Sequence, residues 1–150
     1  MAADYRGRIS PDNVSITSGC NQAFCAAIMA LAQRGDNVVL PSPYYFNHQM
    51  WLDMLGVEKR LVPAFALGRT YPLPEDAAPL INDRTRAIVL CSPNNPTGAI
   101  YPASIIEAFY DLAKASGIAL IIDETYKDFR SSPDPLHGLF ARPDWQDTFV

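Results

Sequence analysis

Apolar residues recur along this chain at helical spacing in some segments and in unbroken runs in others. The first helical segment is predicted from about Gly19 to Arg34, with Gly35 following as its C′ residue. Its buried face carries apolar residues at the i, i+3, i+4 and i+7 spacing: Phe24, Ala27, Ile28 and Leu31. The pattern therefore indicates an amphipathic helix that lies against a core.

Two further helices are predicted from their ends and their apolar stripes. The second covers about Tyr44 to Leu55 and ends at Gly56. The third begins with Ser104 and Glu107, which have the S-x-x-E spacing of a capping box, and it stops at Gly117. The stripe of the third helix consists of Ile105, Ile106, Phe109, Leu112 and Ala113.

Short runs rich in branched residues lie between the helices and predict four strands: Asn37–Leu40, Val57–Val62, Arg86–Cys91 and Ile118–Ile122. Three of them are continuously apolar, as expected for strands buried on both faces of a mostly parallel sheet. Because helices and strands alternate, we predict the α/β class, with three layers in α/β/α order.

The remaining segments carry turn residues. One short helix is predicted from Glu75 to Ile81, and Ser131 to Asp144 contains three prolines and is predicted to be a surface loop. Val14 to Thr17 is predicted as a strand that leads into the first helix, and Thr148–Val150 resembles a strand that is just beginning. We therefore expect these 150 residues to be part of a longer protein.

Composition narrows the classes of function. Hydrophobic residues make up 49% and charged residues 19%, so the chain can bury a core. The net charge of −4 and the absence of a basic cluster give no reason to expect nucleic-acid binding. No apolar stretch reaches 18 residues, so no membrane span is predicted. The first eight residues lack the apolar run of a signal peptide.

Cysteine and histidine usage points to a reducing compartment and away from a metal. The three cysteines, Cys20, Cys25 and Cys91, are odd in number and have no C-x-x-C spacing. His48 and His137 are far apart in the sequence, so no metal site is predicted. Together with the missing export signal, this usage predicts a cytoplasmic protein.

Polar groups follow two of the apolar runs. Asp123 comes directly after Ile118–Ile122, Tyr126 follows three residues later, and Asn95 lies in a rigid turn after another strand. Ligands of open α/β sheets bind beyond the carboxyl ends of strands. An acid, a phenol and an amide at that edge suit an aromatic ligand with a ring nitrogen and a neighbouring hydroxyl. Alternatively, Asp123 caps the next segment and Asn95 is an ordinary turn former.

The start of the first helix offers an anion site. Free N–H groups at a helix N-terminus attract anions, and Gly19 would allow a phosphate close to the backbone. The alternative is that Ser18 simply caps the helix. An aromatic side chain in the segment Tyr44-Tyr45-Phe46-Asn47-His48 would stack on a flat ligand or, alternatively, pack in the core. Glu124 and Lys127 are predicted to be solvent-side neighbours of the site.

These residues resemble the class I/II aminotransferases, which belong to the fold-type I pyridoxal-phosphate enzymes. The resemblance covers about Val14 to Val150 and rests on Thr17-Ser18-Gly19, Pro43 to His48, Ser92 to Gly98 and Asp123-x-x-Tyr126. Each motif is weak alone, but the four in this order at predicted strand ends form a specific signal. The resemblance implies the cofactor pyridoxal 5′-phosphate and the large-domain fold of that family.

The resemblance also implies a role for each motif. Gly19, Cys20 and Asn21 would cradle the phosphate, and Tyr45 would stack on the ring. The remaining implied ligands bind the pyridine nitrogen and the hydroxyl oxygen of the cofactor. Asp123 would hold the pyridine nitrogen with His48 behind it, and the hydroxyl oxygen would be bound by Asn95 and Tyr126.

The family lysine that binds the cofactor covalently has no counterpart here. The lysines of this chain are Lys59, Lys114 and Lys127, and none follows a Ser-x-x-Lys motif after the Asp/Tyr pair. We therefore expect residues 1–150 to be a partial cofactor-binding large domain that contains no catalytic residue. The N-terminal arm, the lysine segment and the small domain would lie elsewhere in the longer protein. Alone, the chain is expected to retain the cofactor weakly or not at all and to catalyse no transamination.

By the resemblance, the parent protein is a homodimer that transfers an amino group between an amino acid and a 2-oxo acid. Three alternatives stay open at this point. The same scaffold serves lyases and decarboxylases, it occurs as a sensing domain in transcription regulators, and it would also persist as a scaffold without cofactor.

Overall fold

In the part of the chain that the structure describes, four parallel strands form a sheet in the order β2-β1-β3-β4. The computed structural model describes Tyr5 and residues 9–65 and 68–150, and its strands are β1 Asn37–Ser42, β2 Glu58–Pro63, β3 Thr85–Cys91 and β4 Ala119–Asp123. The predicted absence of a signal peptide concerns the first eight residues, which lie outside this description apart from Tyr5.

Helices connect the strands and cover the sheet. They are α1 Cys20–Leu31, α2 Phe46–Leu55, the short α3 Pro74–Ala77 and α4 Ala103–Ala115. Single 3₁₀ turns occupy Pro11–Asn13, Ala78–Leu80, Lys127–Phe129, Leu139–Ala141 and Trp145–Asp147. Within the described ranges, no helix has the combined length and apolarity that crossing a membrane requires.

The apolar runs become strands buried on both faces, because alternate side chains of each strand contribute to different cores. In β3, Ile88 and Leu90 pack in the core that contains α4, whereas Ala87 and Val89 pack in the core that contains α1 and α2. This arrangement confirms the predicted α/β class with a mostly parallel sheet. The strand β2 is different, because it forms an edge and carries Glu58, Lys59 and Arg60 in succession.

The first helix is shorter than predicted, and residues 9–19 before it form no strand. Helix α1 ends at Leu31, because Ala32 is already extended with φ −133°. Gly35, at φ 90°, belongs to the turn before β1 and not to the helix end. Val14 to Thr17 has no strand partner and no regular secondary structure.

The predicted capping box at the third helix was wrong. Helix α4 begins at Ala103 with Pro102 as its N-cap residue, so Ser104 is already inside the first turn and makes no capping bond. Glu107 instead accepts a hydrogen bond from the backbone N–H of Gly138 over 3.1 Å. A long-range partner has replaced the local one, which sequence spacing alone cannot reveal.

The predicted surface loop is exposed only in its first part. Residues 131–134 are exposed, but four residues after them are buried: Leu136, His137, Leu139 and Phe140. Phe140 packs edge-on against Trp145 with ring centroids 4.8 Å apart. Burial of these rings outweighs the turn-forming tendency of the prolines.

The final residues extend the sheet, as their composition predicted. Phe149 forms a parallel bridge with Leu120. The backbone N–H of Leu120 donates to Thr148 over 2.7 Å, and the N–H of Val150 donates to Leu120 over 2.9 Å. This segment therefore lies beside β4 at the edge opposite β2.

Candidate functional site

A cavity of about 220 Å³ lies where β3 and β4 end and α1 begins. All eight residues named from the sequence line it: Gly19, Cys20, Asn21, Tyr45, His48, Asn95, Asp123 and Tyr126. Phe24, Cys91 and Thr125 complete its wall. The parallel sheet accounts for this meeting, since the carboxyl ends of its strands share one edge.

Asp123, the last residue of β4, is buried and has hydrogen-bond partners at both carboxylate oxygens. Its Oδ2 lies 3.0 Å from Nε2 of His48, and its Oδ1 accepts bonds from the backbone N–H of Thr125 at 3.0 Å and from the Thr125 hydroxyl at 2.7 Å. Burial by itself would raise the pKa of Asp123, but the hydrogen bonds from His48 and Thr125 outweigh it and lower the pKa below its ordinary value. The site therefore contains an ionised carboxylate.

His48 is held by packing on both sides. Its ring lies 4.3 Å from that of Phe24 and meets the ring of Tyr45 edge-on at 5.4 Å. Only 2% of the residue is exposed. The Nδ1 atom has no partner among the described residues, so Nε2 is the nitrogen that bonds to Asp123.

Two thiols flank the carboxylate and remain protonated. Cys20 Sγ donates to Oδ1 of Asp123 over 3.4 Å. Burial raises the pKa of Cys20, and the negative charge of Asp123 raises it further. Burial raises the pKa of Cys91 to about 12. Neither thiol has the lowered pKa that a nucleophilic cysteine needs.

The N-terminus of α1 leaves two backbone donors without acceptors. Gln22 and Ala23 donate their N–H groups to the carbonyl of Gly19, whereas those of Cys20 and Asn21 have no acceptor in the described ranges. Gly19 has φ 90°, and a Cβ atom built there would meet no atom within 4 Å. The result is an open, electropositive cradle suited to an anion.

Ser18 does not cap this helix. The N-cap residue is Gly19, and the backbone N–H of Ser18 donates to the side chain of Gln22 over 2.6 Å. Asn21 is fixed from α2, because Trp51 Nε1 donates to Asn21 Oδ1 over 2.9 Å. That bond ties the cradle to the helix that carries His48.

Asn95 and Tyr126 face each other across the cavity mouth, with 3.4 Å between the amide nitrogen and the phenol oxygen. The neighbouring Asn94 holds the turn, because its Oδ1 accepts the hydroxyl of Thr97 over 2.8 Å. Asn94 is buried, whereas Asn95 is only half-buried. The structural role thus falls on Asn94, whereas the amide of Asn95 donates one N–H to the Tyr126 hydroxyl and keeps a second N–H for a ligand.

Tyr45 presents its ring to the cavity in a fixed orientation. Its hydroxyl accepts a hydrogen bond from the side-chain amide of Asn47 over 2.8 Å. The neighbouring ring of Phe46 meets it edge-on at 5.2 Å. Contacts to His48 and Phe46 restrain the ring without covering it, since Tyr45 still lines the cavity.

Glu124 was wrongly predicted to be a solvent-side residue. Successive residues of a strand point to opposite faces, so Glu124 turns away from the cavity. Only 15% of its side chain is exposed, and Oε1 lies 3.1 Å from Nε2 of the buried His137, although without good hydrogen-bond geometry. The hydroxyl of Tyr5 donates to its other oxygen. Lys127 is also half-buried, with its ammonium 5.2 Å from the centre of the Tyr5 ring.

None of the three lysines lines the cavity. Lys59 Nζ pairs with Asp53 Oδ1 over 2.6 Å, Lys114 pairs with Asp144, and Lys127 lies over the Tyr5 ring. The described ranges also contain no group of three or more metal-binding side chains arranged to hold a metal ion.

Sequence reasoning missed Thr125, Cys91 and Phe24 as members of the site, and it placed Phe24 only on the buried face of the first helix. Thr125 follows Asp123 by two residues, the spacing at which an Asp side chain often bonds to the backbone ahead of it. That spacing is a usable signal for Thr125. In the sequence, Cys91 cannot be distinguished from other buried strand residues. It lies at the cavity because the register between β3 and β4 pairs it with Asp123.

Comparisons with known proteins identify relatives of this chain. The family model for aminotransferases of class I and II matches residues 2–146. An aspartate aminotransferase of Thermotoga maritima is 35% identical over 122 residues, which are 81% of this chain and 32% of that protein. A probable N-succinyldiaminopimelate aminotransferase of Mycobacterium tuberculosis is 35% identical over 76% of this chain and 29% of its own length.

A solved structure shares the fold. The alanine aminotransferase of Pyrococcus furiosus superimposes with a TM-score of 0.79 at 30% identity, over 83% of this chain and 32% of that chain. The chain thus spans about a third of the length of the proteins it matches. The resemblance stated from the motifs is confirmed: this chain belongs to the aminotransferase family of classes I and II.

Proposed function

We propose that these 150 residues are part of the cofactor-binding large domain of a pyridoxal-phosphate-dependent aminotransferase. The parent protein would move an amino group between an amino acid and a 2-oxo acid. Class I and II aminotransferases depend on this cofactor. The observation that carries the proposal is the ionised, buried Asp123, which shares one cavity with the open donors of α1.

The residues present fit the phosphate of the cofactor. The backbone N–H groups of Cys20 and Asn21 supply donors, and the helix dipole of α1 favours an anion at this position. Gly19 leaves the approach open, because no side chain fills the space above it. Together these features support a phosphate at the N-terminus of α1.

The residues also fit the ring. Asp123 would accept the N–H of a protonated pyridine, and Tyr45 would stack on the ring face. Asn95 and Tyr126 would donate to the ring hydroxyl oxygen. When bound, the protonated ring withdraws electrons from the carbon next to the amino nitrogen, which is the chemistry an amino transfer needs. The chain itself binds and orients, while His48 supports Asp123.

Other parts of the parent would complete the site. A lysine outside these residues would bind the cofactor and move the proton, because no lysine lines this cavity. We also propose a homodimer in a reducing, cytoplasmic compartment. The family resemblance supports the homodimer, and the three free cysteines support the compartment.

A titration observed by nuclear magnetic resonance tests the proposal. Pyridoxamine 5′-phosphate is added to the labelled chain, because this amine form needs no lysine. The amides of Cys20, Asn21 and Asn95 are expected to shift together, with weak affinity, in the millimolar range that corresponds to about −4 kcal/mol. Shifts confined to residues outside the cavity would contradict the proposal.

Adjacent carboxylates provide a matched pair of variants for the same titration. Asp123→Asn removes the charge that faces the cavity, and Glu124→Gln removes the charge on the opposite side of the strand end. Affinity is expected to fall about tenfold in the first, the effect of one hydrogen bond to a charged group, and to stay unchanged in the second. Equal losses in both variants would show that the ring nitrogen does not contact Asp123.

A further inference from the structure

The two oxygens of the Asp123 carboxylate differ in how many donors they accept. Oδ1 accepts three: the backbone N–H of Thr125, the hydroxyl of Thr125 and the thiol of Cys20. Oδ2 has His48 as its neighbour at 3.0 Å. Since a carboxylate oxygen offers about two lone-pair sites, the capacity that remains for a ligand is on Oδ2.

The bonds to Oδ1 also fix the rotation of the carboxylate. The Thr125 hydroxyl makes the shortest of them, 2.7 Å, and its backbone N–H adds a second bond from the same residue at 3.0 Å. Cys20 makes a longer contact of 3.4 Å through a weak thiol donor. The hydroxyl of Thr125 is therefore the strongest side-chain restraint on Oδ1.

Packing of the fold does not explain a threonine at this place. Thr125 is exposed and lies at the cavity wall, so its methyl group contributes little to either core. A valine there would keep the shape and the backbone N–H while it removed only the hydroxyl. What the hydroxyl contributes is the contact to Asp123.

We propose that Thr125 is a positioning residue, whose hydroxyl holds Oδ1 of Asp123 so that Oδ2 receives the ring nitrogen of the cofactor. This inference rests on the proposed function, because it assumes that Asp123 contacts that nitrogen. The contact is charge-assisted and directional, so a carboxylate held at the correct angle binds better than one that rotates.

The test compares two ligands that differ only in the ring atom. One is pyridoxamine 5′-phosphate, and the other is its carbocyclic analogue, in which carbon replaces the ring nitrogen. Dissociation constants are measured by nuclear magnetic resonance for the wild-type chain and for Thr125→Val, Thr125→Ser and Thr125→Ala. The ratio of the two constants reports the nitrogen contact alone, because the phosphate and the hydroxyl are common to both ligands.

The wild-type chain is expected to prefer the nitrogen ligand by about tenfold. In Thr125→Val and Thr125→Ala this preference should fall by about fivefold, the factor of one ordinary hydrogen bond, while affinity for the carbocyclic analogue stays constant. Thr125→Ser keeps the hydroxyl and should restore the preference. The amide spectrum of each variant checks that the fold is retained.

Each other outcome overturns a defined statement. If wild type has no preference, or binds neither ligand, the contact proposed between Asp123 and the ring nitrogen is not made by this chain, and this inference fails with it. If wild type has the preference and Thr125→Val and Thr125→Ala keep it, only the role of Thr125 is overturned. Equal weakening of both ligands in the variants, or no rescue by serine, would assign Thr125 a merely structural role and would also overturn it.

Discussion

At the end of β4, two adjacent carboxylates have different partners on opposite sides of the strand. Asp123 faces the cavity and pairs with His48, whereas Glu124 faces away and lies beside His137. Successive residues of a strand point to opposite sides, so the two neighbouring carboxylates have different surroundings. The order of residues predicts this separation, but the histidine that meets each acid depends on segments far away in the sequence.

The lowered pKa of Asp123 predicts how stability changes with pH. Because the folded-state pKa lies below the ordinary value of about 3.9, ionised Asp123 stabilises the fold fully above that pH, and this stabilisation is lost as pH falls further. Asp123→Asn is therefore expected to lower the free energy of unfolding by about 2 kcal/mol at pH 7. Urea unfolding at several pH values should show the gap narrowing below about pH 4. A gap that is constant down to acid pH would contradict this account.

At the scale of elements, the segment after the 131–134 loop behaves as part of the core. Phe140, Trp145 and Phe149 form an aromatic cluster with centroid distances of 4.8 to 6.3 Å. Phe149 is also bridged to Leu120 in β4. The cluster therefore holds the segment that follows the site against the sheet that carries Asp123.

A buried and an exposed phenylalanine allow the contribution of burial to stability to be measured. Phe149 is 8% exposed and Phe129 is 84% exposed. Phe149→Ala is expected to lower the free energy of unfolding by about 3 kcal/mol, because it removes the contacts of a buried aromatic ring and leaves a cavity. Phe129→Ala should change it by less than about 0.5 kcal/mol. Denaturant unfolding of both variants measures the difference, and similar losses would show that the terminal segment does not pack as described.

The elements also show where sequence patterns suffice and where they fail. The continuous apolar runs predicted β1, β3 and β4, because burial on both faces leaves a clear signature. The capping box at Ser104 failed because Glu107 has a distant partner, Gly138. In the site, strand ends predicted where Asn95 and Asp123 would lie. The register that brings in Cys91 was not predictable, because it depends on pairing between strands.

For the molecule as a whole, the cavity collects a carboxylate, a phenol, an amide and open backbone donors, and its wall contains no lysine. Each of the three lysines lies elsewhere and contacts another residue there. The chain also spans about a third of the length of its relatives. Both facts support the proposal that covalent chemistry takes place only in the longer protein.

Borohydride trapping tests whether any lysine of this chain binds the cofactor covalently. The isolated chain, mixed with pyridoxal 5′-phosphate, is expected to show no transamination and no lysine labelled selectively at stoichiometric level. A native aminotransferase treated in the same way provides the positive control. Mass spectrometry after digestion reports the labelled positions. Full labelling of Lys59, Lys114 or Lys127, together with an absorption band of the lysine-bound cofactor, would contradict the prediction.

The charged edge strand β2 has a consequence for how the sheet meets other chains. Glu58, Lys59 and Arg60 follow one another on this strand, and Pro63 ends it. Charges and proline on an exposed edge discourage the strand of a second molecule from pairing there, which is a common protection against aggregation. At the opposite edge, Phe149 already lies beside Leu120. The two edges of the sheet therefore differ: β2 discourages pairing with another chain, whereas residues 148–150 already bond to the β4 edge.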